Sequence, residues 1–373
     1  QYTKGQIIKI ISHIRIKNYS RLKHDELVEL VARDHWLDFH DRLTQGARDL
    51  GITATRAPKP PKPSSSSSSS AKKPANFPKK ETLKSFLGGA LNNSSKKPVV
   101  YQGTLLLTSF YLLDVLSRSG NDCHMDEPNI FFLRGHKKFV NSFPKARIDQ
   151  IAKSYIRCKN RGKMLVLPMS ALSNTHLNIL IFNFHRQEIE RFEPHGKLTS
   201  GSKSSRKVDK DIKEKLVDPI NKILGKDNEL RYVPATEVCP DGFKGYQAYE
   251  EEALDLDLED NNFTIADPGG FCAAWSMFYA NMRLRFPKEP ASKLIKKSFK
   301  ILSTDPQKLR EFIRGQMIFA EDMIDDAFGA KGTLRKYISL PAGLVSPQDK
   351  DFYKEFTEKL AKFINTKFIE FTK

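Results

Sequence analysis

The chain has 373 residues, 39% of them hydrophobic and 25 of them phenylalanine, more than a minimal domain needs and enough for a sizeable core. Lys and Arg outnumber Asp and Glu by 62 to 44, an excess that points to a polyanion, either nucleic acid or an anionic membrane surface. Cys123, Cys158, Cys239 and Cys272 lack CxxC spacing, which argues against a zinc knuckle and a disulfide scaffold and predicts a reducing compartment. The most apolar stretches, around Leu105 to Leu116 and Leu177 to Phe184, are too short to span a bilayer. With no charged-then-apolar leader, a soluble intracellular or intravirion protein is expected.

Charge is concentrated at the start, where residues 1–100 hold 19 Lys/Arg against 8 Asp/Glu. Ile7, Ile8, Ile10, Ile11 and Ile14 predict one amphipathic helix, and Leu27, Val28, Leu30 and Val31 a second. The run IRIKNYSRLKHDELVELV between and across them resembles the helix-turn-helix modules of the SAP and Rho N-terminal type. That resemblance implies nucleic-acid binding, with Lys17, Arg21 and Lys23 at phosphates and counterion release as the driving force. A helical hairpin that docks protein is the alternative. From Arg56 the composition turns to proline, lysine and seven consecutive serines, which cannot build a core and predict an extended linker. The expected division is therefore a helical module over 1–55, a basic linker over 56–97 and a main domain over 98–373.

Beyond the linker the pattern is mixed. Met164 to Met169 and His176 to Phe184 are short, nearly continuous apolar runs, as in strands buried on both faces. A turn at His185 to Gln187 leads into an alternating strand, Glu188 to Phe192. Helices are predicted over Lys207 to Leu224 and Phe271 to Phe286, and the chain past Pro290 is expected to be mostly helical. It ends in an amphipathic segment carrying Phe352, Phe356, Leu360, Phe363 and Ile364.

Cys272 follows Asp267-Pro268-Gly269-Gly270-Phe271 and opens a predicted helix. A thiol there meets the positive end of the helix dipole, and the glycines admit a substrate backbone. A nucleophilic thiolate also needs an imidazole, and the imidazole an orienting acceptor. The predicted hairpin supplies both, because His176 begins one strand and Glu193 ends the next. Taken singly, a buried structural cysteine, a strand-end histidine and a solvated carboxylate are the ordinary expectations.

Several motifs in order resemble one family. The run HLNILIFNFHRQEIERFEPHG from His176 resembles the His-strand-turn-strand-FEPFG segment of the adenovirus maturation protease and its counterpart in the SUMO deconjugases. GYQAYE and DPGGFCAAWSMFYANMRLRFP resemble the Gln and Cys motifs of related proteases of large DNA viruses, including African swine fever virus. The resemblance covers about Leu165 to Pro287. It implies an α+β fold with a papain-like core of central mixed sheet and helices, extended by helices at its C-terminal end. It further implies Cys272 as nucleophile, His176 as base, Glu193 as its orienting acceptor and Gln247 as oxyanion donor, with no metal or cofactor. Two departures stand out: Leu177 replaces the family's tryptophan, and Gln247 lies unusually far ahead of Cys272. The acidic run Glu250 to Asp260 fills that gap and is expected to be a solvated insertion.

The resemblance further implies a thiol protease cleaving after Gly-Gly, most naturally a viral enzyme of virion or viral factory that processes capsid or core polyproteins. Deconjugation of a ubiquitin-like protein is the alternative substrate class. A DNA-binding virion protein that keeps the fold without catalysis is the alternative outside enzymes.

Overall fold

The computed structural model describes residues 81–97, 99–121, 123–124, 131–132, 145–170, 176–196, 203–239, 244–253, 271–302, 305–340 and 346–372. The chain divides into units at 1–77 and 78–373, and all described residues belong to the second. The fold of this unit is α+β and predominantly helical. Lys17, Arg21, Lys23 and the N-terminal helices expected around them lie outside the described residues.

The helices α1 (Leu83–Leu91) and α2 (Leu105–Ser119) precede a short β1 (Phe131–Phe132), α3 (Lys145–Asn160) and the strands β2 (Leu165–Ser170), β3 (Leu177–Asn183) and β4 (Glu188–Phe192). Then come α4 (Lys203–Ile212), a π-helical turn at Lys213–Val217, α5 (Asp218–Leu224), β5 (Arg231–Val233), α6 (Ala235–Val238) and α7 (Tyr246–Glu250). The rest is helical: α8 (Cys272–Arg285), α9 (Ala291–Leu302), α10 (Pro306–Met317), α11 (Phe319–Phe328), α12 (Thr333–Ile338) and α13 (Pro347–Thr372).

The strands form one sheet in the order β1-β2-β3-β4-β5, antiparallel at its centre and parallel at both outer pairs. Every residue of β3 and β4 is buried. The continuous apolar runs have the cause the sequence suggested, because each face of the sheet carries its own core. Leu177, Ile179 and Ile181 of β3 join the core with α2 and α8, while Leu180 and Phe182 join a second core with α3, α4 and α5. Helix α8 is buried from Cys272 through Arg283. Such a helix cannot show an amphipathic stripe, since it is enclosed on all sides.

One polar interaction crosses the first core. Arg283 of α8 grips Glu190 of β4 through Nε (2.7 Å) and Nη2 (2.6 Å), both side chains fully buried. Tyr279 donates to the same carboxylate at 3.0 Å, and Arg283 Nη1 donates to the Phe286 carbonyl. Phe192 stacks on Tyr279 with ring centroids 4.2 Å apart.

Two expectations need correction. The stretch up to 97 is not all linker: α1 is capped by Thr82, buries Phe86 and Leu87, and Ser95 N–H donates to the Glu311 carbonyl at 2.8 Å. Leu83-Lys84-Ser85-Phe86-Leu87 is apolar enough to dock, but the surrounding lysines and prolines masked it. Cys123 and Cys158 form a disulfide, a pairing across 35 residues that spacing could not show.

Glu190→Leu should leave the Arg283 guanidinium buried without its counter-charge and cost roughly 3–5 kcal/mol in urea unfolding. Glu190→Leu combined with Arg283→Met should recover most of that loss. A single-variant cost near zero would show that the pair does not anchor α8.

Candidate active site

Three separate elements converge at one end of the sheet. His176 immediately precedes β3, Glu193 immediately follows β4, and Cys272 is the first residue of α8. The β3–β4 register pairs Ile179 with Phe192, so continuing it sets Asn178 opposite Glu193 and His176 opposite His195. The connecting turn closes with Gln187 in the left-handed region at φ 53°.

His176 Nε2 and Glu193 Oε1 lie 2.6 Å apart. The His176 ring also lies close enough to the Cys272 sulfur to interact with it electrostatically, and Leu177 N–H donates to Cys272 Sγ at 3.5 Å. Residues up to 96 positions apart in the chain are thus brought together as sulfur, imidazole and carboxylate. Leu177, standing where the resembled family has tryptophan, is buried in the core and contributes its backbone to the sulfur.

Behind the line lies a buried polar layer. Asn178 Nδ2 donates to Glu193 Oε2 at 3.0 Å, and Arg191 Nη1 donates to Asn178 Oδ1 at 2.5 Å. Arg191 also holds Asp209 through Nε (2.8 Å) and Nη2 (3.0 Å), and Tyr232 donates to Asp209 at 2.6 Å. On the other side, His195 N–H donates to Glu193 Oε1 at 3.2 Å. None of Asn178, Arg191, His195 or Asp209 was singled out from the sequence. For His195 a signal existed, since it stands where the resembled FEPFG segment has phenylalanine.

Burial by itself would discharge these groups, but their mutual pairing reverses the effect. Burial pushes the His176 imidazole down, yet the Glu193 carboxylate and the Cys272 sulfur hold it up at about 10. Burial likewise opposes ionisation of Glu193, but His176, His195 and Arg191 hold it well below the usual carboxylate range. His195, desolvated but hydrogen-bonded to Glu193 and Glu251, is raised to about 9. Cys239 behaves differently, its thiol pushed up to about 12 by burial.

Gln247 sits on α7, whose Tyr246 stacks on Trp275 of α8 at 4.9 Å. Its backbone N–H donates to the Pro194 carbonyl at 3.1 Å. Gly196 and Gly245 both have positive φ, and a Cβ on Gly245 would lie 2.2 Å from the His195 carbonyl carbon. Glycine is required for that approach. The Gln247 side chain donates to Glu251 Oε1 at 2.7 Å. Arg310 reaches Glu250, and both are buried. The first acids of the predicted insertion are therefore paired rather than solvated, which corrects that expectation for Glu250 and Glu251; residues 254–270 lie outside the described residues. His176, Glu193 and His195 have ligand-capable atoms within 4.8 Å of one another, a clustering that their hydrogen bonds and opposite charges account for.

A 170-residue stretch, 44% of the chain, is 27% identical to part of a protein named as an ankyrin repeat protein in Acanthamoeba polyphaga mimivirus. The likeness spans only 21% of that protein's length. No family profile matches the chain, and no solved structure matches it. Among the described residues no helix is long and apolar enough to cross a membrane.

The shifts set a pH profile for stability. Raised from 6.5, His176 stabilises the fold fully below that value, and the contribution is lost as pH climbs through about 10. Lowered from 4.5, Glu193 contributes fully above that value and loses its contribution as pH falls. The thermal midpoint of the wild type should thus decline from pH 7 to 10, and His176→Ala should flatten that decline. Equal slopes in the two proteins would remove His176 as the source.

Proposed function

We propose that this chain is a cysteine endopeptidase with a papain-like catalytic core of the adenovirus-protease type. The observation that carries the proposal is the line Cys272–His176–Glu193, assembled from a helix start and two strand ends with a 2.6 Å imidazole–carboxylate contact. Purely structural residues need no such convergence, and two buried charges beside a cysteine are costly unless they serve as a unit.

In the proposed reaction the Cys272 sulfur attacks the scissile carbonyl carbon. His176 delivers a proton to the leaving amine, and Glu193 holds the ring and stabilises its cationic form. Nε2 is engaged with Glu193, so Nδ1 is the nitrogen that moves the proton. Charge that develops on the carbonyl oxygen is met by the Gln247 amide. Water, activated by His176, then hydrolyses the thioester. These steps use only side chains and backbone of this chain.

The resemblance to the adenovirus protease extends the proposal to substrates with Gly-Gly before the scissile bond. The likeness to a mimivirus protein favours virion polyproteins over ubiquitin-like conjugates. The basic N-terminal unit is proposed to bind nucleic acid through Lys17, Arg21 and Lys23, and so bring the enzyme to substrates packed with it.

Incubation with a Gly-Gly peptide and mapping of the new N-termini tests the core claim. Cys272→Ala and His176→Ala should abolish turnover with the circular dichroism spectrum unchanged, and Glu193→Ala should lose less. An iodoacetamide-type probe should label Cys272 well ahead of Cys239. Turnover surviving in Cys272→Ala would refute the mechanism, and a wild type that neither cleaves nor labels would favour a non-catalytic virion protein.

Removal of residues 1–80 should leave peptide cleavage intact while sharply weakening DNA or RNA binding and flattening its dependence on salt. Unchanged affinity and slope would instead assign the N-terminal unit to protein docking.

A further inference from the structure

A glutamine that serves as an oxyanion donor has a problem of its own. The two ends of its amide have nearly the same shape, yet only the nitrogen end can donate, and the oxygen end would repel the developing charge. Something must decide which end faces the reaction. Gln247 is buried on α7, and its Nε2 donates at 2.7 Å to Glu251, one helical turn later. A carboxylate carries no hydrogen to give, so only the nitrogen end can face Glu251. That contact uses one Nε2 hydrogen and leaves the second available, while Oε1 is buried without a hydrogen-bond partner among the described residues.

Glu251 is itself held. Both of its oxygens lie 3.2 Å from His195 Nε2, and the same histidine donates its backbone N–H to Glu193 Oε1. The His195 and His176 rings lie 4.9 Å apart, centroid to centroid. His195 therefore joins the carboxylate that orients the base, through its backbone N–H, to the carboxylate that grips the amide, through its ring. The backbone adds a second tie, from Gln247 N–H to the Pro194 carbonyl.

We propose that Glu251, clamped by His195, is a positioning residue that sets the Gln247 amide with its N–H towards the oxyanion. The role rests on the cysteine-protease reading above, with Gln247 as oxyanion donor. It also explains why the acidic stretch begins where it does, since Glu251 is part of the site and not of a solvated insertion.

The test is a double-variant cycle on the full chain with a Gly-Gly peptide, comparing wild type, Glu251→Gln, Gln247→Ala and the combined variant. A glutamine at 251 keeps the shape but can present either amide end, so it no longer dictates the orientation of Gln247. Gln247→Ala should lower kcat by about 100-fold. Glu251→Gln should lower kcat by about tenfold or more, with KM nearly unchanged, because the affected contact forms only in the transition state. The combined variant should be no slower than Gln247→Ala alone, since Glu251 has nothing left to orient. The alkylation rate of Cys272 should be the same in wild type and Glu251→Gln, which separates positioning from a general loosening of the site. Losses that multiply in the combined variant, an unaffected Glu251→Gln enzyme, or slowed Cys272 alkylation would each overturn the proposal while leaving the protease reading in place. If the wild type neither cleaves nor alkylates selectively at Cys272, the protease reading fails and this inference falls with it.

Discussion

The geometry of the site depends on the buried ion pair between Glu190 and Arg283. Arg283 lies three turns along α8 from Cys272, about 16 Å by helical rise, and Glu190 lies on β4 three residues before Glu193, which directly follows that strand. Strand β4 therefore sets both the axial position of the helix that presents the sulfur and the location of the carboxylate that holds the imidazole. Hydrophobic contacts alone would let an enclosed helix slide or rotate among similar packings. A bidentate charge pair with its remaining lone pairs met by Tyr279 and Asn183 admits far fewer. Its contribution lies in uniqueness of position more than in net stability, because desolvation offsets much of the attraction.

Charge in the site is arranged by the same economy of partners. Glu193 faces His176 and His195, with Arg191 at 3.7 Å. Arg191 is drawn mainly to Asp209, which it holds through both Nε and Nη2 and which is itself bonded by Tyr232. The guanidinium consequently contributes a positive background without displacing the imidazole from Glu193. Asn178 fills the gap by linking Arg191 to the second oxygen of Glu193, Oε2. Each carboxylate is fully engaged, which keeps a dense set of ionisable groups tolerable in a buried setting.

The central strands, the helix beginning at Cys272 and the terminal helix were legible in the sequence because their patterns are local: apolar runs, a Gly-Gly before a helix, and helical spacing of Phe352, Phe356 and Leu360. The alignment of His176, Glu193 and Cys272 was legible only through motif order, since no spacing rule joins positions so far apart. Helix α3 went unpredicted although its buried Ile148, Ile151, Tyr155 and Cys158 recur at helical intervals, for its surface is dense with Lys and Arg. Strand β5 is only three residues long and half exposed, so it carries almost no pattern. Asn178 and Arg191 carry no local signal of a role, and only their partners, Glu193 and Asp209, distant in sequence, make them part of the interior polar layer.

The anchoring of α7 has a consequence for how such a fold could diversify. Glu250 is fastened to Arg310 on α10, Gly245 is pressed against the His195 backbone, and Phe271 is packed against Tyr101 with ring centroids 5.0 Å apart. Whatever joins Ala253 to Phe271 therefore starts and finishes at fixed points, neither of which depends on the intervening chain. A lineage could lengthen, shorten or recharge the part of that connection ahead of Gly269 while both anchors keep their places. The connection would then vary as an independent part, beside a frame of α7, α8 and the sheet that stays constant.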